Sequence, residues 1–454
     1  MCFSGGMHTK VLIFLHDTLW GALGVILLLG TGIWLTVHTG LPQIRFPRFA
    51  LKALRTPGSA QVTSFQAFCT ALAATVGTGN IVGVTGAICL GGPGAIFWMW
   101  ICGCIGMATK FAEVTLASHY RMTCPGEIIG GTMYVIRQAL PSKYAFLATL
   151  YCIFGVAAAF GVGNATQVNA VVSGVSQLLG RESPAGNLIL GCLLAAIVGF
   201  VLFGGARRIG QAAEKLVPLA SLGYIGLCIL VLVRCRSAIP EAWRSIFIGA
   251  FSPRAVTGGA VGSLSRCLGI GCARGVFTNE AGMGTAAMAY AGADGNSVEK
   301  GALGILEVAI DTLVICTMTA LAVLCSGIPL PYGQDQGAVL ANQVFIGVCG
   351  RWAGGALTIF IAIFAFATVL GWGLYGARCG QYLFGEKFWN RFVLLQMAGV
   401  ILGAVMRSQT LWLMAETVNA LMAIPNLIAL ILLTPKLKAL TAEYLGKDSR
   451  FLRE

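Results

Sequence analysis

The feature that most constrains this chain is an uncharged stretch from Cys69 to Cys89, which is long enough to cross a bilayer as a helix. Its middle reads Gly77-Thr78-Gly79-Asn80. Two glycines in one turn weaken a helix, and an amide at this depth needs a partner because unpaired polar groups are costly in hydrocarbon. The stretch therefore indicates either a broken helix whose freed backbone groups bind a ligand, or a helix whose small residues pack closely.

The composition identifies a polytopic membrane protein. The 454 residues are 57% hydrophobic and only 10% charged, with a mean hydropathy of +0.82, whereas a soluble protein carries about 25% charged residues. The net charge of +13 does not indicate nucleic-acid binding, because the basic residues are scattered over the loops. The 16 cysteines lie mostly in apolar segments, where they act as small apolar residues, and the four histidines form no metal-binding pattern.

At about 20 apolar residues per crossing, the sequence predicts eleven membrane-spanning helices. They are a leading span at Val11–Val37 and spans 1 to 10 at Phe65–Leu90, Ala95–Ala117, Ala145–Leu179, Leu188–Phe203, Ala212–Val233, Leu264–Ala291, Leu303–Cys325, Trp352–Tyr382, Phe392–Val405 and Leu411–Leu433. The leading span is too long for the apolar part of a cleavable signal peptide. We therefore expect the amino terminus to be retained.

The basic residues predict an orientation. The first loop holds Arg45, Arg48, Lys52 and Arg55, and the tail from Lys436 to Arg453 falls on the same side, which should be cytoplasmic. This places the amino terminus outside and the carboxyl terminus in the cytoplasm. The loop from Arg234 to Arg254 is an exception, which we interpret as a segment lying in the membrane surface, since it mixes aromatic and basic residues. A similar segment is expected between Glu127 and Leu140 on the inner side.

A second glycine-rich interruption lies in span 6, between Arg274 and Thr285, and it includes the acid Glu280. Spans 1 and 6 each begin a set of five helices. Interrupted segments in corresponding positions of two halves indicate an inverted-repeat transporter with its binding site near the midplane. The predicted regions are a leading part at 1–60, a first repeat at 61–236, a connecting segment at 237–263, a second repeat at 264–434 and a basic tail at 435–454.

Charged residues inside the predicted spans include Lys110, Glu113, Glu280, Glu307, Asp311 and Glu416. Each needs a partner or water, because a charge at mid-depth costs roughly 2.5–3.5 kcal/mol. Lys110 and Glu113 share a helix face and are expected to pair. We expect Glu280 to cap backbone N–H groups freed by the glycines. Glu307 and Asp311 either couple to Arg266 or Arg274 or carry protons, and the sequence leaves both readings open.

Six motifs, in order over nearly the whole chain, resemble the alanine/glycine:cation symporter family. They are Thr75–Ile81, Gly91–Trp100, Gly106–Glu113, Gly161–Gln167, Phe277–Gly284 and Phe364–Trp372. The resemblance implies an all-α membrane protein of the leucine-transporter type, with a 5+5 inverted repeat, broken helices 1 and 6 and one extra leading helix. It also implies sodium-coupled import of alanine or glycine across the plasma membrane, the inner membrane in bacteria, with lipid and substrate as the only evident partners.

The resemblance also assigns site residues. The implied substrate-binding residues are Gly77, Thr78, Gly79, Asn80, Gln167, Phe277, Asn279, Thr368 and Trp372, and the implied sodium ligands are Ala73, Val76, Phe364, Ala367 and Thr368. The N–H groups of Thr78 and Gly79 would hold the substrate carboxylate, as helix N-termini hold anions. Gln167 and Thr368 would receive or orient the ammonium group. Phe277 and Trp372 would wall a small side-chain pocket, and oxygen-only ligation suits a hard cation.

The sequence departs from the family pattern at three positions. Ala367 stands where a hydroxyl residue is common, Arg378 follows where an acid is common, and Thr132 replaces a usual proline. The first two changes motivate an alternative, a proton-coupled carrier or uniporter of the same fold. A channel is disfavoured because no filter repeat is visible. An enzyme is disfavoured because no nucleophile–base set is evident, and the absence of a phosphate-loop motif disfavours ATP-driven transport.

Overall fold

Helices make up almost all of the chain, which the computed structural model describes over residues 22–55, 62–124, 127–180, 183–406 and 409–451 and at a few positions between 11 and 19. The helices are α1 (Ala22–His38), α2 (Pro42–Arg45), α3 (Pro47–Arg55), α4 (Ser64–Thr75), α5 (Val84–Gly91), α6 (Ala95–His119), α7 (Thr132–Ala139), α8 (Ala145–Phe160), α9 (Thr166–Leu179), α10 (Pro184–Leu202), α11 (Gly205–Arg234), α12 (Ile239–Phe251), α13 (Pro253–Thr257), α14 (Leu264–Asn279), α15 (Ala286–Ala291), α16 (Ser297–Val308), α17 (Thr317–Cys325), α18 (Gly337–Cys349), α19 (Arg351–Phe384), α20 (Phe388–Val405), α21 (Gln409–Leu432) and α22 (Thr434–Phe451). Strands β1 (Met122–Cys124) and β2 (Glu127–Ile129) form an antiparallel hairpin.

Three π-helical turns interrupt the long helices, at Gly79–Gly83, Gly161–Ala165 and Ala309–Cys316. Such turns are rare and are frequent at functional sites. The first belongs to predicted span 1, the second to span 3 and the third to span 7. Each therefore marks a place where one of the long helices departs from regular hydrogen bonding.

Each of the eleven predicted spans coincides with a helix or a helix pair, although positions 11–21 of the leading span lie largely outside the described residues. Within the described chain, seven helices are long and apolar enough to cross a membrane, or up to nine if each bent pair is one span. One bent pair is span 1, whose halves Ser64–Thr75 and Gly79–Gly91 meet at 49°. The predicted break in span 1 is thus present.

The predicted pattern of helices is wrong in one boundary and lacks one helix. Helix α11 begins at Gly205 rather than at Ala212, so Arg207 and Arg208 lie in a helix and not in a loop. A hydropathy pattern detects only the apolar part of a helix, so it does not detect the polar first turns of α11. Helix α18 was not predicted, because its 13 residues reach only about 20 Å, too short to cross the hydrocarbon core.

The segments predicted to lie in the membrane surface do form helices, as α12 and α7. Aromatic contacts join α12 to α6: the ring centroids of Trp100 and Trp243 are 5.5 Å apart, and those of Phe97 and Phe247 are 5.9 Å apart. The position of both helices relative to the bilayer stays a prediction, as do the side assigned to each terminus and the boundaries of the two repeats.

Small residues bring the site-bearing helices together. A Cβ atom on Gly371 of α19 would lie 3.0 Å from the backbone nitrogen of Ala74 on α4. Only glycine permits this approach, so the backbones of spans 1 and 8 are in direct contact just before the break in span 1.

Helix α4 itself starts with a capping box, in which Thr63 and Gln66 each accept from the other's backbone N–H group.

The last described helix docks against the first loop. Tyr444 of α22 donates its hydroxyl to Glu299 at 2.8 Å, and the Lys52 ammonium of α3 lies 2.9 Å from the same carboxylate oxygen. The ring of Tyr444 also packs edge-on against Phe49, with centroids 5.1 Å apart. Helices α3, α16 and α22 are therefore joined at one carboxylate.

Candidate functional site

The break in span 1 is organised by Asn80. Helix α4 ends at Thr75, and Val76 is extended, with φ −78° and ψ 101°. The N–H group of Gly77 then donates to Asn80 Oδ1 at 2.9 Å instead of to the carbonyl four residues earlier. The Ala73 carbonyl is thereby released from the helical pattern and is available for another group.

Four of the five predicted sodium ligands lie together: three backbone carbonyls surround the hydroxyl of the fourth ligand, Thr368. Thr368 Oγ1 lies 3.0 Å from the carbonyl oxygens of both Ala73 and Phe364 and 3.5 Å from that of Val76. A hydroxyl has a single proton, so it cannot donate to all three carbonyls at once. The three carbonyl oxygens and the hydroxyl form an all-oxygen group, which is the type of ligand that a hard cation prefers. The fifth residue, Ala367, is buried beside them and offers only a methyl group.

Gln167 faces the same break from span 3. Its Oε1 atom accepts from Thr78 Oγ1 at 3.1 Å, while its Nε2 atom donates to the Val162 carbonyl at 3.2 Å. A Cβ atom on Gly77 would lie 2.8 Å from Thr368 Oγ1 and 3.4 Å from Gln167 Oε1. The structure thus brings together predicted substrate residues from spans 1, 3 and 8 around Gly77.

The break in span 6 runs from Glu280 to Thr285, between α14 and α15. Its backbone turns through positive φ angles at Glu280 (53°), Gly282 (99°) and Gly284 (71°). The freed N–H groups of Gly282 and Gly284 both donate to Glu113 Oε1 of α6, at 2.9 and 3.0 Å. Predicted capping by Glu280 is therefore wrong, because a carboxylate on the neighbouring helix α6 already accepts from both groups.

Asn426 of α21 completes this arrangement. It donates to Glu113 Oε1 at 2.7 Å and to the Gly282 carbonyl at 2.9 Å. Thr132, the residue noted above as replacing a usual proline, donates to the Gly284 carbonyl at 3.2 Å. The polar groups of the break are thus satisfied by three elements outside span 6.

A buried polar chain connects the two breaks. Asn80 Nδ2 donates to Asp311 Oδ1 at 2.6 Å, and Thr312 Oγ1 donates to Asp311 Oδ2 at 2.9 Å. Thr312 in turn accepts from Asn279 Nδ2 at 3.1 Å. Asn80 and Asn279 were both predicted site residues, but the role of Asp311 as the link between them was not foreseen. The π-helical turn that carries it has no sequence signature.

The two predicted pocket-wall aromatics occupy different neighbourhoods. A Cβ atom on Gly79 would lie 3.5 Å from the ring of Phe277, so this aromatic stands directly beside the break in span 1. Trp372 is fully buried and donates its indole N–H group to Glu280 Oε1 at 2.9 Å. It lies against Gly163 in the π-helical turn of span 3.

The predicted pairing of Lys110 with Glu113 is wrong, and Arg274, one of the arginines considered as a partner for Glu307 or Asp311, pairs elsewhere. The Lys110 ammonium lies 3.1 Å from Glu307 Oε1 instead of forming an ion pair with Glu113, and Tyr290 donates its hydroxyl to Glu307 Oε2 at 3.0 Å. Arg274 approaches Glu416 at 3.5 Å and Asp335 at 4.0 Å rather than Glu307 or Asp311. Glu307 is therefore paired with a lysine, while Asp311 accepts from neutral donors.

Arg378 makes a two-pronged ion pair with Glu127 of the hairpin. One guanidinium nitrogen lies 2.9 Å from Glu127 Oε2, and the other contacts Oε1. The same guanidinium hydrogen-bonds Gln381 and lies over the ring of Trp389. Arg378 thus connects α19 to β2, and it lies about 15 Å beyond Thr368 along the helix.

Comparison with known proteins identifies the family. A family model described as the sodium:alanine symporter family matches residues 6–452. The chain belongs to this family. Among the relatives of this symporter-family chain, the sodium/alanine symporter AgcS of Methanococcus maripaludis is 39% identical over 430 residues, covering 92% of this chain and 93% of that protein. The family predicted from the six motifs is confirmed, and the chain is a secondary transporter with several membrane spans rather than an enzyme.

Solved structures confirm the fold class of this family member. MhsT in complex with L-phenylalanine superposes with a TM-score of 0.58 at 14% identity, covering 83% of this chain and 97% of that one. A substrate-bound, outward-open Na+-coupled sialic acid symporter gives a TM-score of 0.54 at 13% identity, covering 95% and 98%. At these identities the likeness concerns the fold, which is that of the leucine-transporter type.

Proposed function

We propose that this protein is a sodium-coupled symporter that carries small neutral amino acids, alanine or glycine, into the cell by alternating access. The observation that carries the proposal is the convergence of the Ala73, Val76 and Phe364 carbonyls on Thr368 Oγ1. Sodium bound there would contact both the broken helix of span 1 and span 8, so that occupancy of the site would fix their relative position.

The substrate would bind beside this cation. Thr78 and Gln167 present hydroxyl and amide groups at the break, and the backbone N–H groups of Thr78 and Gly79 would receive the carboxylate. Phe277 next to Gly79 limits the space for a side chain. Such a site favours a hydrogen or methyl side chain, which supports glycine or alanine over larger amino acids.

Uptake of radiolabelled alanine into proteoliposomes tests the proposal. Three gradients should be imposed separately on the purified protein: sodium, potassium and protons. A zwitterion has no net charge, so one co-transported sodium moves one charge, and about 100 mV then supplies roughly 2.3 kcal/mol, or near fiftyfold accumulation. Only the sodium gradient should drive uptake, with competition by unlabelled glycine but not by leucine. Uptake that ignores sodium would overturn the assignment of the ion.

A matched pair of variants tests the site itself. Thr368→Val removes the central hydroxyl at nearly constant volume and should raise the sodium concentration for half-maximal uptake about ten- to hundredfold, equivalent to about 1.4–2.8 kcal/mol. Thr85→Val is the control, because Thr85 is equally buried in span 1 but donates only to the Ile81 carbonyl at 2.7 Å. Equal shifts in the two variants would place the cation elsewhere.

One observation favours a second candidate, a proton-coupled carrier of the same fold. Asp311 is fully buried, and the donors to its two oxygens, Asn80 and Thr312, are both neutral. A proton on this carboxylate would remove the cost of a buried charge. In that case uptake would follow an imposed proton gradient without sodium, and Asp311→Asn would abolish the response.

We also propose that the protein resides in the plasma membrane, the inner membrane if the source is bacterial, with its amino terminus outside and its carboxyl terminus in the cytoplasm. The distribution of lysine and arginine supports this orientation. A membrane-impermeant thiol reagent applied to intact cells should label a cysteine introduced between spans 5 and 6, at Ser252, but not one introduced in the first loop at Arg48. The opposite labelling pattern would invert the topology.

A further inference from the structure

The backbone at Glu280 adopts the left-handed conformation, with φ 53° and ψ 22°. Within the described chain the other non-glycine residue with a positive φ is Leu41. The position directly after a helix is usually glycine, because a side chain disfavours this conformation. The same break uses glycine at its other two positive-φ positions, Gly282 and Gly284. A strained residue that is retained points to a function for its side chain.

The carboxylate of Glu280 connects two helices. Its Oε2 atom accepts from Thr285 Oγ1 at 2.6 Å, within the same break, and its Oε1 atom accepts from Trp372 Nε1 of α19 at 2.9 Å. All three side chains are buried. Thr285 holds one oxygen in place, so the other is presented to the indole in a fixed direction.

Trp372 is constrained on its remaining sides. A Cβ atom on Gly163 would lie 2.2 Å from the Trp372 Cβ atom and 2.3 Å from Cγ, so the backbone of span 3 lies directly against this residue. Tyr375 packs edge-on, with ring centroids 5.8 Å apart. The contact with Glu280 is the polar one among these, and it gives the indole N–H group its acceptor.

We propose that Glu280 is a positioning residue that sets the size of substrate the transporter accepts, by holding Trp372 in one rotamer. This inference rests on the proposed function and on the prediction from the family resemblance that Trp372 walls the side-chain pocket. Gly163 lies four residues before Gln167 and Glu280 lies three after Phe277, so the indole stands between the two elements that bear predicted substrate contacts. Without the Glu280 carboxylate, the indole N–H group would have no hydrogen-bond acceptor, and the ring would rotate toward another acceptor.

The test measures inhibition constants for alanine and for valine against radiolabelled alanine uptake, together with thermal stabilisation of the purified protein by each amino acid. Glu280→Ala should lower the preference for alanine over valine by about tenfold, the scale of a small apolar increment in a binding pocket. Glu280→Gln keeps an oxygen that accepts from the indole and should retain most of the preference. This rescue by the conservative variant distinguishes positioning from simple loss of packing.

Trp372→Phe provides a second variant that keeps an aromatic ring but removes the indole donor. It should show the same reduced preference, and the double variant Trp372→Phe with Glu280→Ala should reduce it no further, because the two residues act as one unit. Trp389→Phe is the matched control: its indole donates to the Leu202 carbonyl at 3.0 Å, away from the candidate site. This control should retain the wild-type preference.

The proposal is overturned if folded Glu280→Ala or Trp372→Phe rejects valine as the wild type does. It is equally overturned if Trp389→Phe loses the preference to the same extent, since the effect would then be general. Should Glu280→Ala fail to fold, Trp372→Phe still overturns the proposal if it rejects valine as the wild type does. Failure of the proposed function is distinguishable, because the wild type itself would then show neither sodium-driven alanine uptake nor stabilisation by alanine.

Discussion

Substitution of Glu113 on α6 should destabilise the break in span 6 strongly. Its Oε1 atom accepts from Gly282, Gly284 and Asn426 at 2.9, 3.0 and 2.7 Å. Hydrogen bonds to a charged acceptor contribute about 1.5–3 kcal/mol each, and neutral ones about 0.5–1.5. Glu113→Gln keeps a carbonyl acceptor but loses the charge. A loss of about 1 kcal/mol per bond gives an expected destabilisation of about 3 kcal/mol.

Glu113→Ala should be more severe, because it leaves three buried donors unpaired at about 1–3 kcal/mol each. A total near the whole stability of a typical protein, about 5–15 kcal/mol, should prevent accumulation of folded protein. The assay is reversible denaturant unfolding of the detergent-solubilised glutamine variant, with folded yield measured for the alanine variant by size-exclusion chromatography.

The control for this prediction is Glu241→Gln on α12. Glu241 is 71% exposed and lies 3.5 Å from Arg244, and exposed ion pairs contribute about 0–1 kcal/mol. The same chemical change should therefore leave unfolding nearly unaltered. If Glu113→Gln unfolds at the wild-type denaturant concentration, or if both variants lose the same stability, then the three hydrogen bonds do not hold the break and the reasoning fails.

Four further outcomes follow from the site. Gln167→Ala should weaken alanine binding about ten- to hundredfold, because loss of a buried partner costs about 1–3 kcal/mol; isothermal calorimetry checks this, and unchanged affinity would assign Gln167 to packing. Ala367→Ser should lower the sodium concentration for half-maximal uptake, since it adds an oxygen beside Thr368; a sodium titration of uptake at fixed potential decides. Gly77→Ala should abolish uptake in a folded protein, because the new methyl group would lie 2.8 Å from Thr368 Oγ1; retained uptake would show that this space is not used. Asp311→Asn should reduce uptake about tenfold equally at pH 6 and pH 8, because Asn80 loses a charged acceptor; a changed pH profile would instead support the proton-coupled candidate.

The breaks could be predicted from the sequence because paired glycines weaken a helix wherever they fall in an apolar stretch. Gly77 and Gly79 in span 1 and Gly282 and Gly284 in span 6 all lie where the helices are interrupted. The convergence on Thr368 followed from the family motifs, since backbone carbonyls are placed by the fold and not by their own side chains. The family pattern therefore predicts the positions of these carbonyl groups even where Ala367 departs from it.

The partners of the buried charges could not be predicted. Lys110 and Glu113 satisfy the local spacing rule, but a pair on one helix contributes only about 0.2–0.5 kcal/mol. Accepting hydrogen bonds from two freed backbone N–H groups contributes more to stability. Glu113 therefore accepts from the break in span 6, and Lys110 pairs with Glu307. Which groups compete depends on which helices meet, and that information is absent from spacing along one helix.

The contact of Tyr444 with Glu299 and the proximity of Lys52 to the same oxygen have a consequence for biosynthesis. Lys52 leaves the ribosome nearly four hundred residues before Tyr444. The contact among α3, α16 and α22 can therefore form only after α22 has been synthesised. Between the synthesis of Glu299 and that of Tyr444, Glu299 has only the lysine of this pair available to it. A bulky fusion placed directly after α22 should delay this closing step, and a long flexible linker should restore it.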